Sequence, residues 1–330
     1  MKKIIFCAAM LASVLVSCVK KESAVSEPQK EMASLEIRLV SEETKVAGPG
    51  GDEEKSVSNY QIMIFDMSSR MLEAYATPSV TASDISMVCT TGPKEIVVLA
   101  NAPDVSSIVS YDTFIKTKSL LEHNRIGMLV MEGHAPADLT AAGGTVDVEI
   151  RRIISKVVLD GVTVDFESDA YDEMDFVINK VYLTNVAADK TYLSEDADPQ
   201  LWYNKNAHIA APEINSLVYQ ELAGVNLKNS KEYKQQHHFY CYPNPHTEDS
   251  FSTEWDERPT RLVLEATLGG VRYYYPVALP ELLQNTRYHV SLHVKRPGAT
   301  SPEQDMDKYS VSFNITVKEW EGQENVSETI

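Results

Sequence analysis

Short strand-like segments recur along the whole chain, and in some of them apolar and polar residues alternate. Alternation is clear at Leu35–Leu39 and at 309–317, and further strand-like runs lie at 60–65, 95–100, 145–166, 176–186, 261–267, 271–277 and 288–294. A period of two is typical of half-buried strands, because successive side chains point to opposite faces of a sheet. Gly269-Gly270 separates two of the runs and predicts a tight hairpin. The pattern predicts an all-β fold, and 330 residues are enough for two β-sandwich domains in tandem.

Two stretches depart from this pattern, and one charged pair interrupts it. We expect one helix around residues 119–131, where four apolar residues are spaced for one face: Leu120, Leu121, Ile126 and Leu129. The stretch from 188 to 236 is largely polar and predicts loops and short turns. Arg151-Arg152 lies inside the run at 145–166. It predicts the junction between an N-terminal sandwich at 34–152 and a C-terminal sandwich at 153–330.

The N-terminus combines positive charge, a short apolar run and a cysteine. Lys2 and Lys3 precede the apolar run from Ile4 to Val16, which is shorter than the roughly 20 residues of a membrane-spanning helix. Leu15-Val16-Ser17-Cys18 resembles the lipobox of bacterial lipoproteins, which implies cleavage before Cys18 and lipidation of that cysteine. We therefore predict a signal peptide at 1–17 and a lipidated tether at 18–33, which is rich in Lys, Glu, Ser and Pro.

Charge and motif content narrow the function classes. The formal net charge of −18 disfavours nucleic acid as a partner, because phosphate binding needs basic patches. No catalytic motif or cofactor-binding motif is recognisable, so we predict no catalytic residue, no cofactor and no enzyme activity. The densest cluster of metal-ligand types is His237, His238, Cys241 and His246. Adjacent histidines on a strand point to opposite faces, so we predict no metal site there.

The segment after the first strand has the features of a protease site. The strand predicted at 34–41 is followed by Lys45-Val46 and then by a loop with three glycines and a proline. Flexible exposed loops are where proteases cut. Cleavage between Lys45 and Val46 would release the first strand together with the tether. A sandwich that loses an edge strand is left with an open groove, which a strand of another chain can fill.

The C-terminus offers a candidate for that second strand. One face of the last strand is apolar, and the tail adds two further apolar residues: Tyr309, Val311, Phe313, Ile315 and Val317, then Val326 and Ile330. A clean amphipathic strand near a chain end is a candidate donor for an open groove. From the residues alone, the alternative is that both terminal segments are ordinary strands of their own domains.

A series of short segments, in fixed order, gives the chain a further resemblance. They are Leu15-Val16-Ser17-Cys18, Thr44-Lys45-Val46-Ala47, Asp52-Glu53-Glu54, Ile64-Phe65-Asp66, Ile96-Val97-Val98-Leu99-Ala100-Asn101-Ala102, Met131-Glu132-Gly133, Arg152-Ile153-Ile154-Ser155-Lys156-Val157, Tyr274-Tyr275-Pro276-Val277, Asn285-Thr286-Arg287-Tyr288, Pro297-Gly298 and Val317-Lys318-Glu319-Trp320. In this order they resemble the fimbrillins of Bacteroidia, the subunits of type V pili, along nearly the whole chain.

The resemblance implies a fold and an assembly route. The fold would be two transthyretin-like Greek-key β-sandwich domains in tandem. The precursor would be a lipoprotein of the cell outer membrane, and a trypsin-like surface protease would remove its first strand. The C-terminal strand of a neighbouring copy or a related pilus subunit would then fill the groove. The best-known fimbrillins are cut after an arginine, and the matching position here is Lys45. Lys55 is a second basic candidate, whereas Arg38 lies inside the predicted strand.

Three functions are compatible with these observations. The first is a structural stalk subunit of a cell-surface fimbrium that serves in cell adhesion. The second is a basal anchor of the same pilus, which would keep its lipid and its first strand. The third is a monomeric surface lipoprotein that binds glycans through exposed aromatic residues, for which the candidates are Trp202, Tyr203, Trp255 and Tyr273-Tyr274-Tyr275.

Overall fold

Strands make up almost all the regular structure among the residues that the structure describes. The computed structural model describes residues 31–40, 54, 56–81, 84–205, 216–248, 255–304, 306, 311–320 and 324–329. Within these ranges, the strands are interrupted by two four-residue helices, α1 (Tyr111–Phe114) and α2 (Asp169–Asp172), by a 3₁₀ turn at Leu121–His123 and by helical residues at 216–218. The predicted all-β class is confirmed. Within the described ranges, no helix has the length and apolar content needed to cross a bilayer.

Two sheets face each other in the N-terminal half. Sheet 1 contains β1 (Met32–Val40), β4 (Asp84–Thr90) and β8 (Gly144–Glu149) in the order β4-β1-β8. Sheet 2 contains β2 (Tyr60–Asp66), β3 (Met71–Ala76), β5 (Gly92–Ala100), β7 (Met131–Leu139) and β9 (Arg151–Arg152) in the order β3-β2-β5-β7-β9.

Two larger sheets form the C-terminal half, with two small strand pairs beside them. Sheet 3 contains β10 (Ser155–Val164), β16 (Glu232–Tyr233), β17 (His237–Cys241), β20 (Thr286–Val294), β21 (Val311–Glu319) and β22 (Glu324–Thr329). Its order is β16-β10-β20-β21-β22, and β17 also pairs with β10. Sheet 4 contains β11 (Phe176–Thr184), β15 (Tyr219–Asn226), β18 (Arg261–Leu268) and β19 (Val271–Ala278) in the order β15-β11-β18-β19. The small pairs are β6 (Lys118–Leu120) with β13 (Asp189–Thr191), and β12 (Val186–Ala187) with β14 (Trp202–Tyr203).

Sheet 2 is buried on both faces and joins the two halves. Ile62 and Ile64 of β2 face sheet 1 and pack with its apolar side chains. Met63 and Phe65 point the other way, into a core that continues between sheets 3 and 4. This explains why β2 and β5 are continuously apolar rather than alternating. The domain limits at 34–152 and 153–330 remain a prediction, since β9 lies in sheet 2, β10 lies in sheet 3, and β6 pairs with β13 across them.

Two local predictions are wrong and one is confirmed. The helix expected around 119–131 is replaced by β6, the 3₁₀ turn and a tight turn with Gly127 at a φ of 84°. Asn124 competes with helical bonding there, because its side chain accepts from the Val130 amide at 2.9 Å and donates to the Tyr242 hydroxyl at 3.1 Å. The polar stretch at 188–236 contains β15, an eight-residue strand. The predicted hairpin at Gly269-Gly270 links β18 and β19, with φ of 56° and 87°.

Candidate functional site

The first strand occupies the middle of its sheet. β1 pairs antiparallel with β4, from Met32 opposite Thr90 to Arg38 opposite Asp84. On its other side it pairs parallel with β8, from Leu35 to Val40. The expectation that a cut would remove an edge strand is therefore wrong, because β1 is hydrogen-bonded on both sides. Its removal would leave a gap about 10 Å wide between two unpaired strand edges, which is the space of one strand.

Alternate residues of β1 complete the core between sheets 1 and 2. Ala33, Leu35 and Ile37 are buried, and Ile37 is 0% exposed. Leu39 is partly buried against the same cluster. Burial of Leu35 and Ile37 contributes about 1.5–3 kcal/mol for each side chain. The groove that β1 fills thus has apolar pockets at every second position, the spacing that any amphipathic strand presents.

The opposite face of β1 makes only weak polar contacts. The Ser34 hydroxyl lies 3.0 Å from that of Ser86, and Arg38 Nε lies 3.7 Å from Glu36 and 3.8 Å from Asp84. These groups are exposed, so the ion pairs contribute little to stability. The specificity of the groove for its strand rests on the apolar face and the two backbone ladders. Arg38 lies within β1, as the sequence predicted, with its backbone between β4 and β8.

A buried lysine, Lys94, connects sheet 2 to β4, one of the two strands that border β1. Lys94 Nζ of β5 lies 2.7 Å from Asp66 Oδ2, 2.7 Å from Glu73 Oε2 and 2.9 Å from the Thr90 hydroxyl of β4. Burial alone lowers the pKa of Lys94, but the hydrogen bonds and charges of Asp66 and Glu73 outweigh it, so the pKa stays above its ordinary value. Lys94 therefore links β2, β3 and β5 to the strand that borders β1.

The predicted processing positions lie outside the described residues. These are Cys18, Lys45 and Val46, and with them two of the predicted donor residues, Tyr309 and Ile330. β1 ends at Val40, upstream of the Lys45-Val46 bond. Lipidation and cleavage at these positions therefore remain predictions.

The predicted donor segment falls into two parts. β21 lies between β20 and β22, and Val311 and Ile315 are buried in the core of its own domain. Phe313 and Val317 pack partly against that core. β22, which includes Val326, pairs with β21 and lies at the end of the strand order. Among the described strands of this tail, β22 is therefore the one whose outer edge is not paired within sheet 3.

The histidine cluster is engaged in structural contacts. The His237 ring forms a hydrogen bond of 2.6 Å with the Tyr233 hydroxyl and a second one with the side-chain oxygen of Gln220. Cys241 is a buried free thiol, and burial raises its pKa to about 12. In the part of the chain that the structure describes, no three His, Cys, Asp or Glu side chains are grouped to hold a metal ion.

The aromatic candidates for glycan binding are mainly packed inside the protein. Trp202 is buried and lies edge-on to Trp255, with ring centroids 5.4 Å apart. Tyr275 is 0% exposed and packs edge-on to Phe176 at 5.9 Å. Tyr273 is partly buried against the core. These rings contribute to packing and do not form an open aromatic face.

The fold defines a nearly all-β protein with two packed halves, in which the first strand, β1, is the central strand of sheet 1. Residues 33–145 match the model of a protein family described as the major fimbrial subunit protein (FimA). The matched range begins in β1 and ends in β8, so it includes the groove. No curated protein sequence matches the chain.

Several solved structures share the fold. A fimbrilin (FimA) from Porphyromonas gingivalis W83 is 14% identical, with a TM-score of 0.63 over 87% of this chain and 97% of that one. A protein of proposed cell-adhesion function from Bacteroides eggerthii is 15% identical, with a TM-score of 0.68 over 88% and 97%. The C-terminally truncated tip fimbrial protein Mfa3 from Porphyromonas gingivalis is 14% identical, with a TM-score of 0.52 over 88% and 100%. The resemblance to the fimbrillins of Bacteroidia is thereby confirmed.

Proposed function

We propose that this chain is a structural subunit of a type V pilus that polymerises by strand exchange. In this scheme a trypsin-like surface protease cuts the Lys45-Val46 bond, β1 leaves with the lipidated tether, and the C-terminal tail of a neighbouring subunit occupies the groove. The observation that carries the proposal is the central place of β1 in sheet 1, between β4 and β8. An added strand there gains two backbone ladders at once.

The energetics explain why cleavage would be the trigger. β1 and an incoming strand compete for the same pockets, so their contact energies are comparable. While β1 is covalently attached, its effective concentration at the groove is about millimolar or higher, and an external strand rarely displaces it. A cut downstream of β1 removes this advantage, because a released fragment can diffuse away. The exchange then runs toward the incoming strand without any catalysis by the chain itself.

The donor in this scheme is the tail that includes β22. β21 contributes Val311 and Ile315 to its own core, so its release would uncover apolar surface in the donor subunit. Among the described backbone pairings, β22 is held by β21 on one side. We therefore place the donated segment at β22 and the residues around it, including Val326 and Ile330, and expect β21 to remain in sheet 3.

A polymerisation assay tests this function. A soluble precursor with Cys18→Ala is treated with limiting trypsin, and assembly is followed by size-exclusion chromatography and negative-stain electron microscopy. We expect filaments from the cut chain and monomers from the uncut chain. Val326→Asp should stop assembly of the cut chain, and Ser327→Asp, at the alternate position of the same strand, should not. A cut chain that loses β1 and stays monomeric with an intact tail would contradict the proposal.

The basal anchor is the second candidate, and one observation favours it. With β1 in place, sheet 1 is complete, so an uncut chain is a finished fold that needs no neighbour at its groove. An anchor would keep the lipid on Cys18 in the outer membrane and donate only its tail. The N-terminus of the native protein separates the two roles: Val46 indicates a stalk subunit, and lipidated Cys18 indicates an anchor.

A further inference from the structure

A buried polar cluster holds the chain at Glu54, eight positions beyond Val46. Glu54 is 4% exposed, although it carries a carboxylate. Its Oε1 lies 2.5 Å from Lys156 Nζ and accepts from the Tyr240 hydroxyl at 2.5 Å. Its Oε2 accepts from Trp320 Nε1 at 3.2 Å. Three donors from β10, β17 and the end of β21 thus converge on one side chain.

The backbone and the rings around Glu54 tighten the same cluster. Arg152 donates from Nε and from a terminal guanidinium nitrogen to the Glu54 carbonyl, both at 3.2 Å. The Arg152 guanidinium also lies 5.0 Å from the centre of the Trp320 ring. The Tyr240 and Trp320 rings stack with centroids 6.1 Å apart. Glu54 is therefore fixed through both its side chain and its main chain.

The electrostatics make the Glu54 carboxylate necessary. Burial lowers the pKa of Lys156, and the positive charges of Arg287 and Arg152 lower it further, while Glu54 opposes the shift. Without Glu54, the buried Lys156 ammonium would face the positive charges of Arg287 and Arg152 without the carboxylate that now opposes them. Loss of one partner of a buried pair is strongly destabilising, because the remaining charge stays desolvated.

The residues that follow Glu54 are held as well. The Asn101 side chain donates to the Ser56 carbonyl at 2.8 Å and accepts from the Ser58 amide at 2.8 Å. Asn101 itself is buried and adopts a left-handed φ of 56°. Glu54 and Ser56, the two sequence neighbours of Lys55, are therefore both anchored through their backbone carbonyls. A protease needs an accessible segment several residues long, so cutting here requires local unfolding.

We propose that the cluster around Glu54 is an anchor that sets the downstream limit of proteolytic processing and holds the processed chain at Glu54 against sheet 3. This inference rests on the proposed function for the processing step, whereas the anchoring is a property of the uncut fold. Cleavage after Lys45 leaves Glu54 in the chain, eight positions beyond Val46. Cleavage after Lys55 would remove Glu54 and leave Lys156 buried without its carboxylate.

The same cluster fixes the base of the C-terminal tail. Trp320 directly follows β21, and β22 begins at Glu324. Because Trp320 donates to Glu54, the point at which the tail leaves sheet 3 is tied to the segment that processing exposes. The anchor thereby holds Glu54 beside Trp320, at the base of the C-terminal tail.

Limited proteolysis of the full soluble precursor tests the anchor. Glu54→Ala is compared with the unaltered chain and with Glu53→Ala, which removes the neighbouring carboxylate in the sequence. After limiting trypsin, N-terminal sequencing should find Val46 in the unaltered chain and in the Glu53→Ala control. The Glu54→Ala chain should be cut further, to Ser56. Equal cutting after Lys55 in all three chains would overturn the proposal.

A double variant separates anchoring from loss of folding. Glu54→Ala should lower the folding equilibrium constant about 100-fold or more relative to Glu53→Ala, measured by urea unfolding. Glu54→Ala with Lys156→Met removes both charges and should recover most of that loss. If the double variant is as stable as the control, its processing reports on anchoring alone, and it should still be cut to Ser56. A double variant that stops at Val46 would also overturn the proposal.

The test of the Glu54 anchor does not depend on whether the processed chain polymerises. If chains that start at Val46 do not assemble but Glu54→Ala is cut to Ser56, the anchor stands and the proposed function fails. If chains that start at Val46 and at Ser56 assemble equally and unfold alike, the proposed function stands and the anchor fails.

Discussion

Replacement of Ile37 by alanine should weaken the hold of the N-terminal sandwich on its first strand. Ile37 is 0% exposed, and in sheet 1 it lies opposite Ile85 of β4 and Val146 of β8. An isoleucine-to-alanine change at a fully buried site costs about 2–5 kcal/mol, the sum of lost transfer energy and the cavity left behind. We take about 3 kcal/mol for Ile37→Ala, because β1 has neighbours on both sides and the sheet cannot easily collapse into the space.

Two assays on the intact precursor measure this value. Urea unfolding at neutral pH should show a free energy of unfolding lower by about 3 kcal/mol. After a single cut in the segment at 41–53, the fragment that carries β1 should remain bound by its two ladders until another strand displaces it. Ile37→Ala should then weaken its retention about 100-fold, since 1.4 kcal/mol corresponds to a factor of ten. Retention is measured from the fragment recovered with the main chain after gel filtration.

The control lies one residue away on the same strand. Glu36 points to the exposed face, so Glu36→Ala should change the unfolding free energy by less than about 0.5 kcal/mol. The reasoning would be refuted if Ile37→Ala and Glu36→Ala had the same effect on both stability and fragment retention. In that case β1 would not be part of the core of this sandwich.

Three further changes test other parts of the fold. Burial lowers the pKa of His238 to about 4. The unfolded chain therefore takes up a proton at this residue before the folded chain does, and the free energy of unfolding falls as the pH drops from 6.5 toward 4. His238→Gln should reduce this loss of stability between pH 7 and pH 5 by about 1–2 kcal/mol in urea unfolding. Asp66→Ala leaves the buried Lys94 with one carboxylate fewer and should cost about 2–3 kcal/mol in the same assay. Gly133→Ala should cost about 3 kcal/mol or more, because a Cβ there would lie 2.1 Å from the Glu149 carbonyl.

Each of these has a matched comparison. His289→Gln, at another sheet 3 histidine that is paired with Asp160, should leave the His238 effect in place. Asp112→Ala breaks an exposed pair with Arg70 and should cost less than about 1 kcal/mol. A Cβ at Gly270 would have no atom within 4 Å, so only the positive φ opposes Gly270→Ala, which should lower the free energy of unfolding by about 1–2 kcal/mol. A result in which any control equals its partner would contradict the corresponding contact.

The sequence pattern predicted the structure correctly where contacts between residues close in sequence decide it. Alternation predicted β1 and β21, since the side-chain period reports which face of a strand is buried. The Gly-Gly pair predicted its hairpin, because few other residues adopt two successive positive φ values. The same approach failed at 119–131. The spacing there fits a helix, but the buried Asn124 side chain bonds Val130 and Tyr242 instead.

By itself, the sequence determined the all-β class, the lipobox-like N-terminus and the order of segments shared with fimbrillins. Only the tertiary structure decided that β1 is central in its sheet, because the period of a strand does not say which strands lie beside it. It also decided the surroundings of Glu54, whose partners lie between 98 and 266 residues away in the chain. One acidic residue in so acidic a chain carries no local signal, and its importance arises only when folding buries it against Lys156 and Trp320.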